Sequence, residues 1–130
     1  MILDTNALSA FADDAPAAVA AVSHAERIYL PVVVLGEYRY GIAHAGRPRD
    51  HEDWLLAFLR TCHVLDLTQK TATWYADIRS ELRRIGKPIP ANDAWIAALG
   101  REHNLPVLSR DQHFDRVPGL RRLLTQVNRI

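Results

Sequence analysis

Four of the 15 acidic side chains stand where a carboxylate can do chemistry. Asp4 closes the apolar opening Met1-Ile2-Leu3, which reads as a buried strand delivering an acid to the end of a sheet. Asp111 repeats the construction after Leu105-Pro106-Val107-Leu108-Ser109. Asp93 opens a helix directly after the stiff Lys87-Pro88-Ile89-Pro90 connector. Glu37, if its segment is helical, shares a face with Val33 and Tyr40 or Gly41, and a lone acid among apolar residues needs a reason. Two unit charges about 4 Å apart repel by roughly 4 kcal/mol at an effective dielectric of 20. Several carboxylates in one cleft therefore want a cation among them. With no cysteine or histidine grouped nearby, oxygen ligands suit a hard ion, Mg²⁺ or Mn²⁺. The plainer reading of Asp4 is a helix cap. The other acids, such as Asp13, Asp14, Asp50, Glu52, Asp53, Asp77, Glu81 and Glu102, belong to charged or flexible contexts.

The elements that must position these groups alternate between short strands and helices. Thr5 and Asn6 turn the chain into a helix from Ala7. Asp13-Asp14-Ala15-Pro16 feeds a helix over 17–26 with Val19, Val22 and either Ala25 or Ala18 inward, and Arg27 to Pro31 gives a short strand. Val32 to Gly41 is ambiguous: its β-branched run favours a strand, whereas Pro31 favours a helix start. An amphipathic helix follows over 49–61, with Trp54, Leu55, Phe58 and Leu59 inward, then a strand over 63–67. Thr68 caps a long helix with Ala72, Tyr75, Ile78 and Leu82 as its core stripe. Asn92 or Ala91 caps the helix that carries Asp93, and Leu123 to Val127 suggests a last strand. Strands separated by helices predict an α/β fold, a central parallel β-sheet flanked by helices on both faces. In such sheets sites lie in the crevice beyond the carboxyl ends of the strands, where Asp4 and Asp111 fall.

The bulk composition is that of one ordinary globular domain over 1–130, 48% hydrophobic. Residues 1–65 carry 5 basic and 8 acidic side chains and residues 66–130 carry 11 and 7, so a net charge of −3 faces one of +4. That imbalance is compatible with a phosphate-bearing partner. The single cysteine, Cys62, excludes an internal disulfide and a thiolate zinc cluster and suits a reducing compartment. No apolar run nears the roughly 20 residues of a membrane span, and no leader-like segment is visible, so a soluble cytoplasmic protein is expected.

Four blocks together, Ile2-Leu3-Asp4-Thr5-Asn6, Gly36-Glu37-Tyr38-Arg39-Tyr40-Gly41, Asn92-Asp93-Ala94-Trp95-Ile96-Ala97-Ala98 and Leu108-Ser109-Arg110-Asp111-Gln112-His113-Phe114, resemble the PIN-domain nucleases, in particular the VapC toxins of prokaryotic toxin–antitoxin pairs. The resemblance runs along essentially the whole chain. It implies the PIN fold, a helix over 32–40, and an acidic quartet of Asp4, Glu37, Asp93 and Asp111. On that basis Asp4 and Asp93 hold the main Mg²⁺, while Glu37 and Asp111 bind through water, position the nucleophile or assist a second ion. Thr5, Asn6 and Ser109 fix carboxylate rotamers. The family often has threonine where Ser109 stands, and Asp115 competes with Asp111 as the fourth acid. The implied activity is endoribonucleolytic cleavage of structured RNA by direct attack of water, leaving a 5′-phosphate, with tRNA the leading target. A VapB-like antitoxin and a homodimer are the implied partners.

Arg39, Arg110 and Arg116 lie near enough in sequence to contact phosphate, and Arg79, Arg83, Arg84 and Lys87 to extend a basic track. A 2′-hydroxyl mechanism would want paired histidines or a His-Lys arrangement. His24, His44, His51, His63, His103 and His113 are scattered, and His113 reads first as a turn residue. Trp54, Trp74 and Trp95 read as core. A haloacid-dehalogenase-type phosphatase would need its general acid at Asn6, and a receiver domain would need a late lysine, whereas the lysines are Lys70 and Lys87. A PIN-fold nuclease of RNA processing without a toxin role, and a non-catalytic PIN-like binding module, are the remaining alternatives.

Overall fold

A computed structural model describes residues 1–123. Among them five parallel strands form one sheet in the order β3-β2-β1-β4-β5, from β1 (Ile2–Leu3), β2 (Tyr29–Pro31), β3 (His63–Leu65), β4 (Val107–Leu108) and β5 (Arg122–Leu123). The helices are α1 (Thr5–Ala12), α2 (Pro16–His24), α3 (Val32–Ala43), α4 (Pro48–Leu59), α5 (Gln69–Arg84) and α6 (Ala91–His103), with a 3₁₀ helix at Gln112–Arg116. The α/β class and the parallel sheet expected from alternating patterns are what the chain adopts.

The strand order decides where a site can be. From central β1 the chain steps outward to β2 and β3, then crosses back to β4 on the other side of β1. β1 and β4 thus flank the point where the connections change direction, and a crevice opens beyond their carboxyl ends. Their register pairs Ile2 with Val107 and Leu3 with Leu108, so Asp4 and Ser109 emerge side by side. Ile2, Leu3, Val107 and Leu108 are wholly buried, as expected of short strands covered on both faces.

Pro31 settles the ambiguous segment: it is the N-cap of α3, its ring preset for a helix entry that the valine run then continues. The buried stripe is Val34, Tyr38 and Ile42, one position on from the expected face of Val33, Glu37 and Tyr40 or Gly41. Tyr40 is 71% exposed, and Glu37 lies at the edge of the stripe, half-buried. On α5 the core position is Thr71, not Ala72; its hydroxyl is bonded within the capping box with Thr68 and donates to Glu102 at 2.7 Å. On α2 the fully buried residue is Ala18, one of the positions expected on the inner face, ahead of Val19 and Val22. Trp74 is partly exposed, unlike a core tryptophan. The strand expected over 63–67 stops at Leu65, and most of the strand expected over 123–127 lies outside the described residues.

Gly86 ends α5 at φ +69°. Its N–H donates to Arg83 O and that of Lys87 to Leu82 O at 2.9 Å, a Schellman closure that frees Pro88–Pro90 to lead straight into α6. Helices α5 and α6 pack closely, joined by the Arg101–Glu81 bridge at 2.6 Å. Gly100 on α6 has its missing side chain's place taken: a Cβ there would sit 2.5 Å from Leu120 Cδ1 and 3.1 Å from Leu105 O. Gly100→Ala is expected to lower stability by about 1–2 kcal/mol despite alanine's better helix propensity, measured by urea unfolding.

Candidate active site

The site is built by four segments that meet at the crevice. Asp4 follows β1 and is the N-cap of α1, its Oδ1 accepting the Thr5 N–H at 2.7 Å. It is more than a cap. Its Oδ2 accepts from Ser109 Oγ at 2.7 Å and from Asn6 Nδ2 at 3.1 Å, so the side chain is clamped from both sides while 95% buried, with 5% exposure. Ser109, fully buried after β4, also accepts from Asn6 Nδ2 and from the Asp111 N–H at 2.9 Å. Asn6 in turn accepts the Arg110 N–H at 3.1 Å.

Glu37, on α3, accepts from Thr5 Oγ1 at 3.2 Å on one oxygen and from Asn92 Nδ2 at 3.2 Å on the other. Thr5 therefore serves two acids at once, its amide holding Asp4 and its hydroxyl Glu37. Asp93 sits in the first turn of α6, whose N-cap is Pro90 rather than Asn92 or Ala91. That displacement leaves the Asn92 amide free to reach α3. Asp93 Oδ2 meets His113 Nδ1 at 2.8 Å, and the same nitrogen lies 3.0 Å from Asp111 Oδ1. Asp111 caps the 3₁₀ helix by accepting the His113 N–H at 2.9 Å. The result is a circuit running from Asp111 through Ser109, Asp4, Thr5, Glu37, Asn92, Asp93 and His113 back to Asp111, hydrogen-bonded or ion-paired at each link except Asn92–Asp93, which are joined by the chain itself. All four acids singled out in the sequence stand on it.

Burial raises the pKa of Asp4 above the usual carboxylate range, against the bonds from Ser109 and Thr5, and the charges of Asp93 and Glu37 push the same way. Asp93 is raised chiefly by burial, with the charge of Asp111 adding to it and the His113 bond opposing it. These directions mean that negative charge is concentrated here at some cost. Among the described residues no lysine or arginine forms an ion pair with any of the four acids; the arginine–carboxylate pairs join Arg39 to Glu52, Arg101 to Glu81 and Arg122 to Asp115. Converging carboxylates with no lysine or arginine partner, offering oxygen donors, fit a hard divalent ion.

Asp115 and Asp111 are separated by their partners. Asp115 is held by Arg122, which also donates to the Ser109 carbonyl at 3.1 Å, whereas Asp111 turns toward Asp93. Arg39 is committed to Glu52, and Arg116 donates to the Pro88 carbonyl at 2.7 Å, bracing the connector before α6. Arg110 is exposed at the rim. Arg79 lies over the Tyr75 ring, 5.6 Å from its centroid, and bonds its hydroxyl. Asn92 and His113 are the residues that sequence reasoning undervalued: Asn92 was expected to cap a helix and His113 to make a turn.

Ser109→Ala is expected to leave KM nearly unchanged and lower kcat of any reaction at this site by about 10- to 100-fold, because Asp4 loses its rotamer support. Orphaning the half-buried Asp111 N–H should cost a further ~1 kcal/mol of stability. Steady-state kinetics and thermal unfolding check the two parts.

The PIN-domain family model matches residues 1–120. Toxin FitB of Neisseria gonorrhoeae is 34% identical over 92 residues, 66% of each chain. The tRNA(fMet)-specific endonuclease VapC of Shigella flexneri is 33% identical over 90 residues, 68% of each chain. Among solved structures, DNA-bound VapBC from Salmonella typhimurium superposes with a TM-score of 0.85 at 25% identity, covering 96% of this chain and 97% of that one.

Proposed function

This chain belongs to the PIN-domain family, and from that premise we propose that it is a metal-dependent endoribonuclease serving as the toxin of a type II, VapBC-like toxin–antitoxin pair. The observation that carries the proposal is the set of hydrogen bonds, joined through the Asn92–Asp93 backbone, that gathers Asp4, Glu37, Asp93 and Asp111 without a lysine or arginine among them. Asp4 and Asp93 are the main ligands for Mg²⁺, with Mn²⁺ as a substitute. Glu37 and Asp111 would bind through water, orient the nucleophile or assist a second ion. Lowering the pKa of an attacking water and offsetting charge on the phosphate oxygens is the chemistry such an ion supplies when bound.

The chain's own residues do the rest. Ser109 and Asn6 hold Asp4 in one rotamer, so that no reorganisation is needed as charge develops. Thr5 and Asn92 do the same for Glu37. Glu37, bonded on both oxygens yet only half-buried, is placed to accept the proton of the attacking water. Attack by water rather than by a 2′-hydroxyl leaves a 5′-phosphate. Arg110 at the rim is the arginine of the expected three whose side chain is uncommitted to a described ion pair or hydrogen bond, and it takes the first phosphate contact.

Structured RNA is the proposed substrate class. The name of the Shigella flexneri relative supports tRNA as the leading target within it. A VapB-like antitoxin, homodimerisation and a cytoplasmic site of action complete the proposal; no described helix is long and apolar enough to cross a membrane. Induction in a host lacking the antitoxin gene should arrest growth, and co-expression of the cognate antitoxin should restore it. The Asp93→Asn variant should not arrest growth. Unchanged growth with the wild-type protein accumulating in native form would defeat the toxin role.

A further inference from the structure

We propose that His113 supplies a nitrogen ligand to the divalent ion, making this a mixed carboxylate–imidazole centre that favours Mn²⁺ over Mg²⁺. The proposal rests on the assignment of the four acids as an ion-binding group. His113 Nδ1 is 2.8 Å from Asp93 Oδ2 and 3.0 Å from Asp111 Oδ1. One ligand atom from each of these three side chains lies within 4.8 Å of the other two, a spacing that one ion can span. No other histidine or cysteine among the described residues enters such a group.

The ring is also held in place by its surroundings. Its backbone N–H is bonded to Asp111 at 2.9 Å, and the adjoining Phe114 is wholly buried, which pins the 3₁₀ helix to the core. The side chain of His113 is 35% exposed and that of Asp93 15%, so a hydrated ion can reach them from solvent. Nδ1 carries a proton when it bonds the two carboxylates, because carboxylates only accept. An ion would take the place of that proton, with the ring binding as the neutral tautomer that keeps Nε2–H. The two acids then exchange a shared donor for a shared cation, which takes Asp111 from a water-mediated role to direct ligation. Mg²⁺ takes oxygen ligands almost exclusively, whereas later divalent metals accept imidazole. A nitrogen at this position therefore biases the site without displacing any acid.

The test uses the purified full chain and the metals alone. Mn²⁺ and Mg²⁺ affinities are measured by calorimetry for the wild type, His113→Phe, Asp4→Asn and, as a control distant from the site, His24→Phe. Pulsed EPR of bound Mn²⁺ reads nitrogen hyperfine coupling in protein carrying ¹⁵N-imidazole histidine. The expected result is a histidine coupling in the wild type and in His24→Phe. In His113→Phe that coupling should vanish, with Mn²⁺ affinity falling at least about tenfold and Mg²⁺ affinity changing much less. No histidine coupling in the wild type overturns the proposal and needs no variant to fold. An equal loss for both ions in His113→Phe also overturns it, since that is what a residue acting only by positioning the acids would give. Failure of the acid-site assignment has a different signature, ion binding that survives Asp4→Asn.

Discussion

Asp4→Asn is expected to abolish both ion binding and RNA cleavage, with turnover lower by at least about a hundredfold, while the protein folds as before. Asparagine can keep the Thr5 N–H bond through its oxygen and can meet Ser109 Oγ with its amide, losing only the bond that Asp4 Oδ2 accepts from Asn6 Nδ2. The substitution removes one charge from a buried carboxylate whose neighbours include Asp93 and Glu37. The metal-free variant should therefore be as stable as the wild type or more so at neutral pH. The sign follows from linkage. A carboxyl whose pKa is raised by folding carries its full penalty above that raised value, and the penalty fades as pH falls toward the ordinary value near 3.9 or so. The stability advantage of Asp4→Asn should accordingly be largest near neutrality and shrink on acidification through the carboxylate range. Urea midpoints across pH, in the presence of EDTA, measure it. A variant much less stable than the wild type at pH 7 would show that Asp4 is held there for structure.

Phe114→Ala is expected to cost about 3–5 kcal/mol, a large part of the roughly 5–15 kcal/mol that holds a small domain together. Phe114 is the largest of the fully buried side chains among the described residues. It lies in the 3₁₀ helix that also carries His113 and is capped by Asp111, so its removal should loosen the fourth corner of the site before the rest unfolds. Thermal unfolding would show the loss. Addition of Mn²⁺ should recover part of it, because an ion that binds only the folded state stabilises it by mass action.

The strand-end acids are legible in the sequence because their pattern is local. An apolar run that halts on an acid, in a chain of alternating strands and helices, is enough to place Asp4 and Asp111 beyond the edge of a parallel sheet, and the β1–β4 register brings Asp4 beside Ser109. The α3 segment is less legible, since a continuous run of valines fits a buried strand and a buried helix equally. The capping proline decides the matter in the structure, and the buried stripe then falls one residue away from the expected face. Asn92 and His113 are hardest to read. Their partners, Glu37 and Asp93, are 55 and 20 residues distant, and no local periodicity encodes a contact between segments so separated. The one available hint was the proximity of His113 to Asp111, two residues apart. The choice between Asp111 and Asp115 is likewise tertiary, resting on Arg122 reaching back from β5 to claim Asp115.

Cleavage of labelled cellular RNA by the purified protein, with Mg²⁺ or Mn²⁺, with EDTA, and with Asp4→Asn alongside, is the measurement to make first. Discrete cuts that require both the ion and Asp4, leaving 5′-phosphate ends, are expected. Cuts that persist in EDTA or in the Asp4→Asn protein, or no cuts from a wild-type protein shown to bind Mn²⁺, would contradict the assignment of this acidic circuit as a metal-dependent ribonuclease site.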